Sequence, residues 1–155
     1  MRKAFNLLMA IFILLILSGA AALTLKYVSI HAKHTADSYI KEQAEIFMQS
    51  VIEATILKIE GYDRSNNNDC KTSLEFYSDD NRFIADVNIT RYYLYNGKDN
   101  NGSELSNCNR VKPIDTEDSH GYTLIEAVVE TNNTHPKIKG FVSPIRIVER
   151  SLQRP

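Results

Sequence analysis

Few residues in this chain could do covalent or coordination chemistry, and most of them lie in its second half. Cys70 and Cys108 are the two cysteines. Both sit in polar, Asn-rich stretches outside the apolar pattern. In an oxidising compartment a membrane-delivered domain would join them as a disulfide; in a reducing one they would be two separate thiols. Asn88, Asn101 and Asn132 each begin an Asn-x-Ser/Thr triplet, and each has an acidic residue two positions earlier: Asp86, Asp99 and Glu130. Their side-chain amides are candidate glycosylation acceptors. Asn101 and Asn132 fall in expected loops and should be accessible. Asn88 falls in mid-strand and would serve only if its face is solvated. Asp99-Asn100-Asn101-Gly102 is rich in oxygen donors, which makes Asp99 and Asn101 the calcium candidates. Gly97, however, stands where the first EF-hand ligand belongs, and a polar turn explains the same residues. His31 and His34 share a helical face without the cysteine or carboxylate partners of a zinc site. His120, after Glu117-Asp118-Ser119, reads as a solvated turn rather than an acid–base pair.

The rest of the composition argues against catalysis. There is no P-loop, no dinucleotide glycine fingerprint, no Gly-x-Ser-x-Gly and no His-Glu-x-x-His. The expectation is a protein that is not an enzyme and that carries no cofactor, calcium aside. The 18 basic and 19 acidic residues leave a formal charge of −1, with no electrostatic footprint for nucleic acid.

These residues must be carried by something, and the carrier begins at the N-terminus. Residues 5–25 hold no charge, and their polar members are Asn6, Ser18 and Thr24. As a helix this segment reaches roughly 30 Å, enough to cross a hydrocarbon core. Arg2 and Lys3 before it favour an inside N-terminus and an outside C-terminal part. One reading is a secretory signal with a small-residue cleavage site at Ala20-Ala21-Ala22. A second is a plain signal anchor for an external domain.

A third reading rests on Lys3-Ala4-Phe5-Asn6-Leu7-Leu8-Met9. This stretch resembles the N-terminus of type IV pilins and type II secretion pseudopilins: a basic leader, a small residue, then Phe opening an apolar helix. The resemblance covers roughly the first 60 residues and the general plan of the rest. It implies a leader of residues 1–4, cut by the prepilin peptidase between Ala4 and Phe5, with methylation of the new amine of Phe5. It also implies a subunit stored in the inner membrane, its N-terminus cytoplasmic and its C-terminal domain periplasmic, with other pilin or pseudopilin subunits as partners. The family usually has Gly where Ala4 stands and Glu where Met9 stands. In the family's filaments that carboxylate neutralises a neighbour's amino terminus in an apolar bundle, where an unpaired charge costs several kcal/mol. Tip-type minor pseudopilins share its absence, so the resemblance implies a minor or tip-like subunit. The acidic −2 residues of the three glycosylation triplets are similar to the acceptor pattern of the bacterial periplasmic oligosaccharyltransferase. The alternative function is a single-pass anchored or secreted periplasmic binding module with no filament role.

Residues 26–60 continue the helix in an amphipathic register. Ile40, Ala44, Phe47, Val51, Ala54 and Lys58 recur at 3–4 spacing, widened by Ile52, Ile56 and Ile59, and Gly61 ends the run. A break near residues 29–35 is the competing reading. Residues 61–155 form a head domain in which the period switches to two. Phe83, Ala85, Val87, Ile89, Tyr93 and Tyr95 alternate with polar positions as a long strand. Ser73–Tyr77 precedes it, Tyr122–Thr131 follows, and residues 137–142 with 145–152 make a fourth element interrupted at Pro144. A long loop fills 96–121. The expected fold is α+β: a long N-terminal helix whose outer half covers a small antiparallel sheet of about four strands.

Overall fold

A computed structural model describes residues 2–62, 69–99, 101–136 and 143–155, with side chains from Leu8 onward. One helix, α1, occupies Arg2–Glu60 without interruption. Five strands follow: β1 (Ser73–Tyr77), β2 (Phe83–Tyr95), β3 (Val111–Ile114), β4 (Tyr122–Thr131) and β5 (Arg146–Gln153). The chain divides into two units, 1–39 and 40–155.

The first unit is helix alone. Its described apolar side chains, from Leu8 through Leu25, are exposed. Hydroxyls inside so apolar a run need partners close at hand. Ser18 Oγ donates to the Leu15 carbonyl at 3.0 Å and Thr24 Oγ1 to the Ala21 carbonyl at 2.8 Å, so each is satisfied by its own helix.

The second unit has the expected α+β fold. The path β1-β2-β4-β5 is antiparallel throughout, and Ala44, Met48, Val51, Ile52 and Ile59 join the inward residues of β2 and β4 in one core. Phe47 stacks on Phe83 with ring centroids 6.1 Å apart. The centre of the helix stripe differs from the expected one. Met48 and Thr55 are buried in it, whereas Phe47, Ala54 and Ile56 flank it and Lys58 is exposed. Thr55 reaches the core because its hydroxyl donates to the Val51 carbonyl at 2.7 Å.

Strand β2 carries a second correction. Its register against β4 shifts between Ile89 and Arg91, leaving Thr90 as an extra residue whose hydroxyl donates to the Leu124 carbonyl at 3.0 Å. A bulge of one residue exchanges the two faces of everything beyond it. Tyr92 and Leu94 are therefore buried, in place of Tyr93 and Tyr95, while Arg91 turns outward. The segment expected as a loop, 96–121, also contains structure. β3 runs parallel to β2 from Tyr92↔Val111 to Tyr95↔Ile114, and a 3-10 turn occupies Glu117–Ser119. Alternation could not reveal β3, because four residues with Pro113 among them make too short a pattern. Residues 137–142, expected as half of the fourth element, lie outside the described residues.

The turn between β1 and β2 is held by charge. Ser78 Oγ donates to Asp80 Oδ1 at 2.8 Å, and the Arg82 backbone N–H donates to the same oxygen at 3.0 Å. The Arg82 guanidinium bonds Asp80 Oδ2. Partial burial pushes the Asp80 carboxyl up, but the bonds from Arg82 and Ser78 and the guanidinium charge outweigh it, and the net shift is below the ordinary value. A depressed folded pKa contributes stability above the unfolded value of about 3.9, and that stability is lost as pH falls through the folded value. The pair is well exposed, so screening holds its worth to about 1 kcal/mol or less. Thermal melts of Asp80→Asn should lie slightly below wild type at neutral pH and converge on it as pH falls through the depressed folded value of Asp80, below the ordinary carboxylate range. A gap that stays constant into acid would refute the charge origin.

Candidate functional sites

The membrane-length segment is the most distinctive site in the first unit. The helix from Leu8 contains an 18-residue window of mean hydropathy 2.6, with none of that window buried. It is long and apolar enough to cross a membrane. Met9, where the resembled family has Glu, is one of the exposed apolar residues. Tyr27 and His31 follow, with ring centroids 4.5 Å apart, and Thr35 Oγ1 donates to the His31 carbonyl. The side chains of Ala4 and Phe5, the expected processing site, lie outside the described residues.

In the second unit the cysteines form a disulfide, Cys70–Cys108, with Cα atoms 5.3 Å apart. Both belong to the core cluster, at 5% and 7% exposure. Although they sit in polar stretches, the bridge itself is packed. Leu105 is buried beside it, the Cys108 N–H donates to the Leu105 carbonyl, and Tyr92 Oη donates to the Lys71 carbonyl at 2.6 Å. Together these contacts tie the entry to β1 and the loop after β2 to one another. Tyr92 can do this only because the bulge turns it inward.

The three glycosylation candidates have different surroundings. Asn101 is exposed in a turn. Asn88 is exposed on the outer sheet face, its Oδ1 accepting from Arg110 Nη1 at 3.3 Å. Asn132, expected to be accessible, is 3% exposed. Its Oδ1 accepts from the Thr134 hydroxyl at 2.7 Å and from the N–H groups of Thr134 and His135, while its own N–H donates to the Arg82 carbonyl at 2.7 Å. The side chain caps a local turn, a role open to any Asn and invisible in a triplet pattern.

Asp99 and Asn101 meet in the way a polar turn requires. Asp99 Oδ1 accepts from the N–H groups of Asn101 and Ser103 at 3.0 and 2.8 Å. Among the described residues no group of three or more His, Cys, Asp or Glu is placed to hold a metal ion. His120 lies in a turn, as expected, half-exposed behind the exposed 3-10 turn Glu117–Ser119, but it also makes a specific bond. Its Nδ1 accepts the Tyr95 backbone N–H at 2.9 Å, closing the excursion between β2 and β4. No local signal announces a bond across that stretch.

Two surface depressions were not expected. One, of about 510 Å³, runs between α1 and the β1–β2 turn, with Phe47, Phe76 and Phe83 in its walls and Asp80 and Arg82 at its rim. The other gathers Arg91, Arg110 and Arg150 on the outer face of the sheet. Their grouping depends on the bulge and on strand register, so sequence spacing gives no sign of it.

These elements define a class: an α+β domain stapled by one disulfide and carried on a helix of membrane-spanning length and composition. No family model, curated protein or solved structure matches the chain.

Proposed function

We propose that this protein is a structural, pilin-like subunit of a type IV pilus or type II secretion pseudopilus, of the minor or tip-like kind. It is held in the inner membrane before assembly, with its head domain in the periplasm. The prepilin peptidase cuts between Ala4 and Phe5 and methylates Phe5, and the apolar helix then passes from lipid into a filament core.

The observation that carries this reading is that one helix, Arg2–Glu60, supplies both an exposed apolar span and the core stripe of an antiparallel sheet. A further feature supports it. Ile46 and Leu57, each 67% exposed, lie on the helix face opposite the buried stripe and offer apolar contact to a neighbouring helix. Met9 departs from the family's usual Glu; within this reading it narrows the role to a minor or tip-like subunit, since the span lacks the carboxylate by which a bulk filament subunit would pair a neighbour's amine.

N-terminal sequencing and intact mass of protein from the native membrane fraction test the proposal. The expected result is a chain beginning at N-methylated Phe5. A chain beginning near Leu23 would make it a secreted domain, and an unprocessed Met1 would leave an anchored binding module; either result overturns the filament reading. The same spectrum reads glycosylation, which we place at the exposed Asn88 and Asn101 rather than at Asn132.

A further inference from the structure

We propose that Arg91, Arg110 and Arg150 form a binding site for a compact phosphate-type oxyanion on the outer face of the sheet. The three guanidinium-bearing residues, with Thr90 and Asn109, line a single depression of about 370 Å³. They come from three separate places: the bulge of β2, the approach to β3, and β5. Among the described residues none of the three enters an ion pair, although Arg82 and Arg146 do. Three like charges gathered on one patch repel one another, with the single carboxylate of Glu126 across the β4–β5 register from Arg150, and an anion relieves the remaining repulsion.

The backbone is arranged to make the cluster. Without the extra residue Thr90, alternation from Phe83 through Ile89 would aim position 91 into the core and Tyr92 outward. The bulge reverses this and sets Arg91 on the same face as Arg150, and bulges commonly re-aim a side chain beside a functional site. Arg110 is fixed from behind, its Nη1 donating to Asn88 Oδ1 and to the Ile89 carbonyl, both at 3.3 Å. Its own carbonyl accepts the Tyr92 N–H at 3.0 Å. Cys108, two residues away in the chain, anchors the segment through the disulfide. One arginine is thus positioned and two are free to close on a ligand. Guanidinium forks match tetrahedral oxyanions by paired N–H bonds.

The surroundings limit the size of the ligand. The neighbouring depression on the same face is lined by Glu75, Asp86 and Glu126, and Glu126 stands opposite Arg150 in the β4–β5 register. A long polyanion crossing the face would meet all three carboxylates, whereas a single phosphate or diphosphate group seated between Arg91 and Arg110 would stay clear of Glu75 and Asp86. The phosphate can belong to a free small molecule or to a lipid headgroup.

The test uses the full chain in zwitterionic micelles. In one arm inorganic pyrophosphate is titrated in; in the other, a lipid with a phosphate-monoester headgroup is added to the micelles. Arginine Nε–H resonances are followed in both. We expect saturable shifts at Arg91, Arg110 and Arg150 in at least one arm, and the arm that responds identifies the source. Arg91→Gln and Arg150→Gln should each weaken binding about tenfold, as loss of a charge-assisted contact does. Both residues are exposed, so neither change threatens the fold. Arg146→Gln removes the same charge from β5 outside the depression and should leave affinity within about twofold. Silence in both arms, or equal weakening by Arg146→Gln, overturns the proposal. The readout is independent of N-terminal processing, so it stands or falls separately from the filament reading.

Discussion

Replacing Cys70 and Cys108 together by alanine is expected to cost about 4 kcal/mol of folding free energy, a large share of the roughly 5–15 kcal/mol available to a domain. The bridge joins residues separated by 38 positions. In the chain-entropy account, that closure takes conformational freedom from the unfolded chain. The segment it encloses contains β1 and all of β2, the strand to which β1, β3 and β4 all pair. Losing it should therefore loosen the sheet's centre rather than a peripheral loop. Denaturant unfolding of the full chain in micelles checks the expectation: the double variant should unfold at a markedly lower midpoint with a steeper slope, since its unfolded state exposes more surface. Coincident midpoints would sink it. Changing both cysteines avoids a lone reactive thiol. Alanine avoids placing hydroxyls at two buried positions, where an unpartnered one costs about 1–3 kcal/mol. A second consequence concerns Arg110, whose segment the bridge anchors: anion affinity should fall in the same variant even under conditions where it stays folded.

The parts of this molecule legible in its sequence are those governed by long, repeated patterns. The helix, the strands at 73–77, 83–95 and 122–131, and the helix-on-sheet arrangement all follow from periods of 3.6 and 2 sustained over many residues. What was not legible is governed by single residues. Thr90 adds one residue to β2, and by parity alone it sends Tyr92 and Leu94 inward and Arg91 outward. The apolar alternation before it carries no mark of that change, because Thr fits a regular strand equally well. Thr55 reads as a polar interruption of the helix stripe, yet it occupies the core by bonding back to Val51. Asn132 and His120 read as loop residues, yet both serve as acceptors for backbone N–H groups. In each case a hydrogen bond, local in the chain for Thr55 and Asn132 and across 25 residues for His120, decides where a polar side chain goes, and hydropathy registers only that it is polar.

The largest expected effect lies in the apolar span. Leu14→Arg with Leu15→Arg should move the protein from the integral membrane fraction to one extracted by alkaline carbonate. Each arginine near the middle of a membrane helix costs about 2.5–3.5 kcal/mol on the insertion scale, whereas each Leu, Ile or Phe contributes only about 0.3–0.6 in favour. The span's favourable terms sum to a few kcal/mol against the cost of Ser18, Gly19 and Thr24, so two arginines exceed them and one roughly cancels them. The single variant should accordingly partition between fractions. Both leucines are exposed, and in the first unit no core holds them, so their replacement tests insertion and leaves the head's packing alone. The control is Ile46→Arg with Leu57→Arg. These positions are as exposed as the leucines, but they lie in the head-domain part of the helix, where an added charge meets water before assembly. That pair should leave extraction unchanged; on the proposed filament reading it should impair only assembly, because it would remove the apolar face offered to a neighbouring helix. If the Leu14 and Leu15 double variant stayed integral, the span would not be the anchor; if the Ile46 and Leu57 variant came out with it, membrane attachment would depend on the head. The separation of the two phenotypes along one helix distinguishes a subunit that merely resides in the membrane from one built to leave it.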